Sequence, residues 1–217
     1  RLEPTGKIRC ATSATDQGQG TWTGITQLVA ERLGVEPEDV DILAHDSAAT
    51  PYGSGAWASR GLTVAGEAAW LAAETLRENI LKLAATILQA VPASLTIAHG
   101  DICDVATGRS RMRLAELAHI GHFRHDTLPK DVQPALAATR TYYPNDRPYA
   151  VANGIQGSWL EVDRDTGVVH LLEHWIVEDC GRIVNPLLVD EQLRGGVVQG
   201  IGSALYEECA YDAHGQM

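Results

Sequence analysis

Three polar stretches set among glycines have the most chemical reach in this chain. They are Gln19 between Gly18 and Gly20, the run Ala58-Ser59-Arg60-Gly61, and Gln192 in DEQLRGG. A glutamine amide is both donor and acceptor, so it can read the edge of a heterocycle. Arg60 offers a planar fork of donors matched to phosphate. Glycines let a backbone come close to a ligand, and amides ahead of a helix favour negative charge. The plainer reading, glycine-rich turns leading into core helices, stays open. The spacing is neither that of a P-loop nor that of a dinucleotide fingerprint.

Other chemistries find less support. His119, His122 and His125 recur every third residue, with His99, His170 and His174 elsewhere. No HExxH is present and no carboxylate shares a helix face with them, so a solvated loop is the reading and no metal site is assigned. There is no GxSxG elbow. Cys10, Cys103, Cys180 and Cys209 form no CxxC pair, which removes zinc and iron–sulfur spacings and leaves reduced thiols as the expectation. Cys180, in EDCG, reads as a small residue at a strand end. Asp179, Asp190 and Glu191 read as arginine partners or caps. What remains fits a pterin or nucleotide-like cofactor held mainly by amides.

The elements that must position these groups come next. Lys7 to Ala14 reads as a strand ending in DQGQG, followed by a helix from Thr21 to Leu33 with Ile25, Leu28, Val29 and Leu33 on one face and Gly34 as its stop. Val40 to Leu43 is a second strand. The small-residue loop from Thr50 to Gly61 then leads to the longest stretch free of Gly and Pro, Glu67 to Val91, rich in alanine, leucine and glutamate. Two βα-like units thus stand in series. If their strands are neighbours, both loops open on one edge, where such folds bind ligands. Further on, Leu95–Ala98 and Ile102–Asp104 read as strands, and Met112 to His119 as a short helix capped by Ser110. His119 to Pro134 reads as a connector and Ala135 to Tyr143 as a strand. Ala150 to Asp163 and Val168 to Cys180 form a hairpin, and a glycine-rich helix runs from Leu187 towards Glu208.

The expected fold class is mixed α/β (α+β): sheets packed with a long Ala-rich helix, in two lobes, 1–130 and 131–217. The net charge of −11 argues against nucleic acid or an anionic membrane as main partner. Glu74, Arg77, Glu78 and Lys82 interrupt the best candidate for a membrane span. A cytoplasmic location is expected. Arg1 opens on half a hairpin and Met217 follows the launch of another strand, so the chain is expected to be part of a longer one and to expose apolar surface by itself.

Three ordered stretches carry a resemblance: DQGQGTWTGITQLVAERLGVEPEDVDI, YGSGAWASRGLTVAGEAA and VEDCGRIVNPLLVDEQLRGGVVQGIGSALYEE. They resemble the molybdenum-binding large subunit of the xanthine dehydrogenase / aldehyde oxidase / carbon monoxide dehydrogenase family, and the similarity covers nearly the whole chain. The resemblance implies that residues 1–217 are a fragment of the second molybdopterin-binding domain. The cofactor would be molybdopterin, often in its cytosine dinucleotide form. The reaction would be water-dependent hydroxylation of an aldehyde or N-heterocycle carbon. Electrons would leave through two [2Fe–2S] clusters to FAD on other domains or subunits of an oligomer. By position, Gly18, Gln19 and Gly20 match a GQG loop near the molybdenum ligands or pterin. Ala58, Ser59, Arg60 and Gly61 match a loop at the phosphate and dinucleotide part. Gln192 matches a glutamine that bonds the pterin. Trp57 with Arg60 looks like the bacterial multi-subunit branch. The family's catalytic base, a glutamate in a later motif, and its first molybdenum domain have no counterpart here, so Glu207 and Glu208 are not cast in that role. The fragment is expected to be inactive alone, and a non-catalytic subunit-interaction or assembly domain is the alternative.

Overall fold

β-branched and apolar residues at Ile8–Ala11 (β1) and Val40–Leu43 (β2) pair as parallel strands in the register Ile8↔Val40 to Ala11↔Leu43. Parallel neighbours need a crossover, and the helix Thr21–Leu33 (α1) supplies it. The helix stops at Gly34, whose φ of 79° is left-handed and whose N–H reaches Ala30 O at 2.8 Å. Only glycine suits this stop, since a Cβ there would run into the carbonyl oxygen of Ile97.

This computed structural model describes residues 1–44, 46–50, 52–53, 55–144 and 151–217. The chain divides into two units, Arg1–Ala150 and Val151–Met217.

In the first unit, a helical run begins with a π-type turn at Gly61–Gly66 and continues as Glu67–Leu88 (α2). Ala69, Ala73, Leu76, Ile80 and Leu83 are buried along it, three or four residues apart. The helix ends at Leu88 rather than Val91, because Gln89 takes a left-handed conformation and its N–H turns back to Thr86 O. Leu95–Ala98 (β3), Asp101–Asp104 (β4) and Ser110–Arg113 (β5) form an antiparallel sheet. Ile25 and Leu33 of α1, Ile80 of α2, Ile102 of β4 and Leu117 of the helix Leu114–Phe123 (α3) meet in one core.

Two expectations of the sequence are corrected here. Ser110 caps no helix. It lies in β5, paired with Cys103, and α3 begins only at Leu114 with Arg113 at its cap. Sheet pairing with β4 claims the segment that helical periodicity assigned to the first turn. Ala135 to Tyr143 is irregular rather than a strand. Its Leu136 is buried and accepts a hydrogen bond from Leu2 N at 2.9 Å, so packing holds it where no ladder does.

The second unit is a hairpin of Asn153–Val162 (β6) and Val169–Asp179 (β7), followed by the helix Pro186–Leu205 (α4). Proline at the first turn and Asn185 accepting from Leu188 N at 3.1 Å start α4. The helix runs unbroken through Gly195, Gly196 and Gly200, and a Cβ at any of these would meet no atom within 4 Å. Among the described residues no helix is long and apolar enough to cross a membrane.

Candidate cofactor cradle

Because β1 and β2 are parallel neighbours, the loops that follow them, 12–20 and 44–60, leave from the same edge. Glycines bring the two loops and the helix starts behind them together. Gly53 faces Ser13 so closely that a Cβ would collide with the serine side chain. A Cβ on Gly61 would stand 3.1 Å from Thr21 Oγ1, directly after Gly20. Gly24 of α1 and Gly66 both face Leu62, at 2.7 and 3.2 Å from their Cβ positions. The GQG loop and the Ala58–Gly61 loop are therefore adjacent in this unit.

The first loop is closed by its own groups. Asp16 Oδ1 accepts from Gly18 N at 2.9 Å and Oδ2 from Trp22 N at 3.0 Å. Gly20, at the cap position of α1 with φ 77°, has no side chain to do this. The Trp22 indole donates to Ala14 O at 3.1 Å. Gln19 Oε1 accepts from Gln17 N at 2.6 Å and Nε2 donates to Thr15 O at 3.2 Å. An amide has two donor hydrogens and two acceptor lone pairs, so one of each is left over for a ligand edge. Burial opposes ionisation of Asp16, but the N–H groups of Trp22, Gly18, Gly20 and Thr21 outweigh it and hold the carboxyl below the usual aspartate range.

The second loop holds two non-glycine residues in left-handed backbone, Ala58 at φ 51° and Ser59 at φ 55°. Each costs roughly 1–2 kcal/mol for an L-residue, strain of a kind concentrated at ligand sites. Arg60 N reaches Trp57 O at 3.3 Å, and the Arg60 guanidinium carbon lies 4.5 Å from the Trp57 ring centroid. Gly61 starts the π-type turn, and such turns recur at functional positions. The amides at this helix start, a stacked guanidinium and a glutamine amide form a donor set that fits an anionic, heterocyclic cofactor.

Gln192 lies in the second unit, exposed on α4 between Asp190 and Arg194, which form an ion pair of 2.7 Å. It thus belongs to a different unit from the other site residues. Of the histidines, His119 and His122 lie on α3 rather than in a connector, and His122 Nε2 meets Leu2 O at 3.0 Å. His125 Nε2 meets Gly121 O at 2.6 Å. Among the described residues no three His, Cys, Asp or Glu side chains are grouped to hold a metal ion. Asp16 shows no capping signature in the sequence. It lies six residues before the amide it caps, outside the usual capping interval, so the loop's closure alone reveals it.

The family model described as "Molybdopterin cofactor-binding domain" matches residues 1–217. The chain belongs to this molybdopterin cofactor-binding family. It is 33% identical over its full length to the nicotine 6-hydroxylase large subunit of Paenarthrobacter nicotinovorans, covering 26% of that protein. It is 28% identical over its full length to the carbon monoxide dehydrogenase large chain of Hydrogenophaga pseudoflava, again covering 26%. Among solved structures, quinoline 2-oxidoreductase from Pseudomonas putida 86 superposes over the whole chain with a TM-score of 0.87 at 38% identity, covering 27% of that chain. The molybdopterin-binding chain thus spans about a quarter of the length of these relatives, and it shares its mixed α/β fold with the matching part of the solved quinoline 2-oxidoreductase chain.

Proposed function

We propose that this molybdopterin-binding domain serves a molybdenum hydroxylase that oxidises a ring carbon of an N-heterocycle, using water as oxygen source. The observation that carries the reading is the meeting of two glycine-lined loops at the ends of β1 and β2, one bearing Gln19 and the other Arg60. Gln19 reads the pterin edge with its remaining donor and acceptor. Ala58, Ser59, Arg60 and Gly61 take the phosphate or dinucleotide part, and the match of Gln192 to a pterin-bonding glutamine belongs to the same reading. The bound cofactor supplies the two-electron chemistry. The chain's own groups bind and orient it, and the catalytic base lies elsewhere in the enzyme. The heterocycle preference draws on relatives named for nicotine and quinoline, both of which contain aromatic nitrogen rings. Iron–sulfur and FAD partners, a cytosine dinucleotide form of the cofactor and a cytoplasmic location belong to the same reading.

The test is molybdenum and pterin content of the holoenzyme after Arg60→Ala and Gln19→Ala. A charge-assisted hydrogen bond of about 1.5–3 kcal/mol is removed at Arg60, enough to weaken retention roughly ten- to hundredfold. Full occupancy in both variants, with the fold retained, would overturn the reading. The assembly-domain alternative would then lead, favoured by the exposed apolar face of the β6–β7 hairpin.

A further inference from the structure

An anion-binding nest already filled by the protein lies beside Gln19. The N–H groups of Gly18 and Trp22 both point at the Asp16 carboxylate, one bond per oxygen, at 2.9 and 3.0 Å. These two amides flank Gln19 in sequence, one on either side. Gln19 itself is held at both ends of its amide by Gln17 N and Thr15 O, inside the loop that Asp16 closes. The carboxylate therefore fixes the backbone before and after the glutamine. It also places a negative charge where the start of α1 would otherwise attract one. A phosphate is unwelcome at that spot, and this leaves the anionic part of a cofactor to the Arg60 loop.

We propose that Asp16 is the positioning residue for Gln19. Its two oxygens clamp the loop at Gly18 and Trp22 so that the glutamine amide faces the cofactor, while its charge reserves the α1 loop for a neutral ligand edge. The inference rests on the cradle reading above.

A plain helix cap makes a different prediction from a two-armed clamp. Asparagine caps helices about as well as aspartate, but it has one oxygen, so it can hold only one of the two arms. The experiment measures molybdenum and pterin content of the purified holoenzyme, with thermal unfolding in parallel. The variants are Asp16→Ala, Asp16→Asn, Gln19→Ala and Asp16→Ala combined with Gln19→Ala. The clamp requires that Asp16→Asn unfold near the wild-type temperature yet lose cofactor to the level of Gln19→Ala. It also requires the double variant to fall no further than Gln19→Ala, because both changes remove one interaction. Restored occupancy in Asp16→Asn, or additive losses in the double variant, would reduce Asp16 to a helix cap. Full occupancy in Gln19→Ala would instead overturn the cradle reading at the first loop, and the clamp with it.

Discussion

The guanidinium of Arg60 lies over the ring of Trp57, its carbon 4.5 Å from the ring centroid. Two left-handed residues, Ala58 and Ser59, lie between them and turn the chain so that the pair can meet. The stack restricts a long side chain that would otherwise lose rotamer freedom on binding phosphate. Trp57→Ala is expected to weaken cofactor retention about two- to fivefold, the equivalent of roughly 0.5–1 kcal/mol for an exposed cation–π contact. Arg60→Ala should cost more. Equal losses from the two variants, measured as molybdenum content after dialysis, would show that the ring does more than steady the arginine.

The Asp16 clamp has a pH signature. Its carboxyl is held low in the folded state despite burial, by the four amides that face it. A group depressed in this way stabilises the fold above its unfolded value and loses that contribution as pH falls through the folded one. The contribution should be complete above about pH 4 and fade below it. Thermal unfolding of wild type and Asp16→Ala should therefore differ most near about pH 6, and the gap should narrow toward about pH 3. A constant gap across that range would contradict the assignment.

Glycines of similar φ differ in what surrounds them. Gly34 at φ 79° faces the Ile97 carbonyl, whereas Gly108 at φ 68° has no atom within 4 Å of a Cβ position. Gly108→Ala should cost only the left-handed penalty, about 1 kcal/mol. Gly34→Ala adds a backbone collision and should cost at least about 3 kcal/mol. Chemical denaturation of the two variants checks this, and equal midpoints would refute it.

The hairpin carries an apolar stripe on one face. Ile155 opposes Val177, with Trp159 and Trp175 alongside, and all four are at least half exposed. A two-stranded sheet is marginal by itself, and a patch of this kind marks a contact surface. Residues 1–217 produced alone should self-associate, and Trp159→Ser with Trp175→Ser should shift the population toward monomer in sedimentation. A monodisperse wild-type monomer would show that the stripe is tolerated in water.

Helix α1 was legible in the sequence from Thr21 to Leu33, because its apolar period and the glycine at its end are both local signals. The same holds for the β6–β7 hairpin, whose turn residues and alternation lie within thirty residues. Ser110 misled because a serine before an apolar run signals a cap, while pairing with Cys103 across the β4–β5 turn takes the segment into a sheet instead. Ala135–Tyr143 misled in the same way. Its composition suits a strand, yet burial of Leu136 and a bond to Leu2 N hold it instead.

The residue types of the cradle were likewise written in the chain: glycines, an arginine, a glutamine. Their meeting was not. It required β1 and β2 to pair in parallel, so that two loops about forty residues apart left from one edge, and it required Gly53 and Gly61 to yield the space for contact. Nor could spacing reveal that Asp16 would fill the start of α1, since that depends on a loop folding back across six residues. Local periodicity and turn chemistry act within a few residues and survive in sequence alone. Strand partnership, glycine-permitted approach and the capture of one group by another are properties of the packed chain, and tertiary structure decided them.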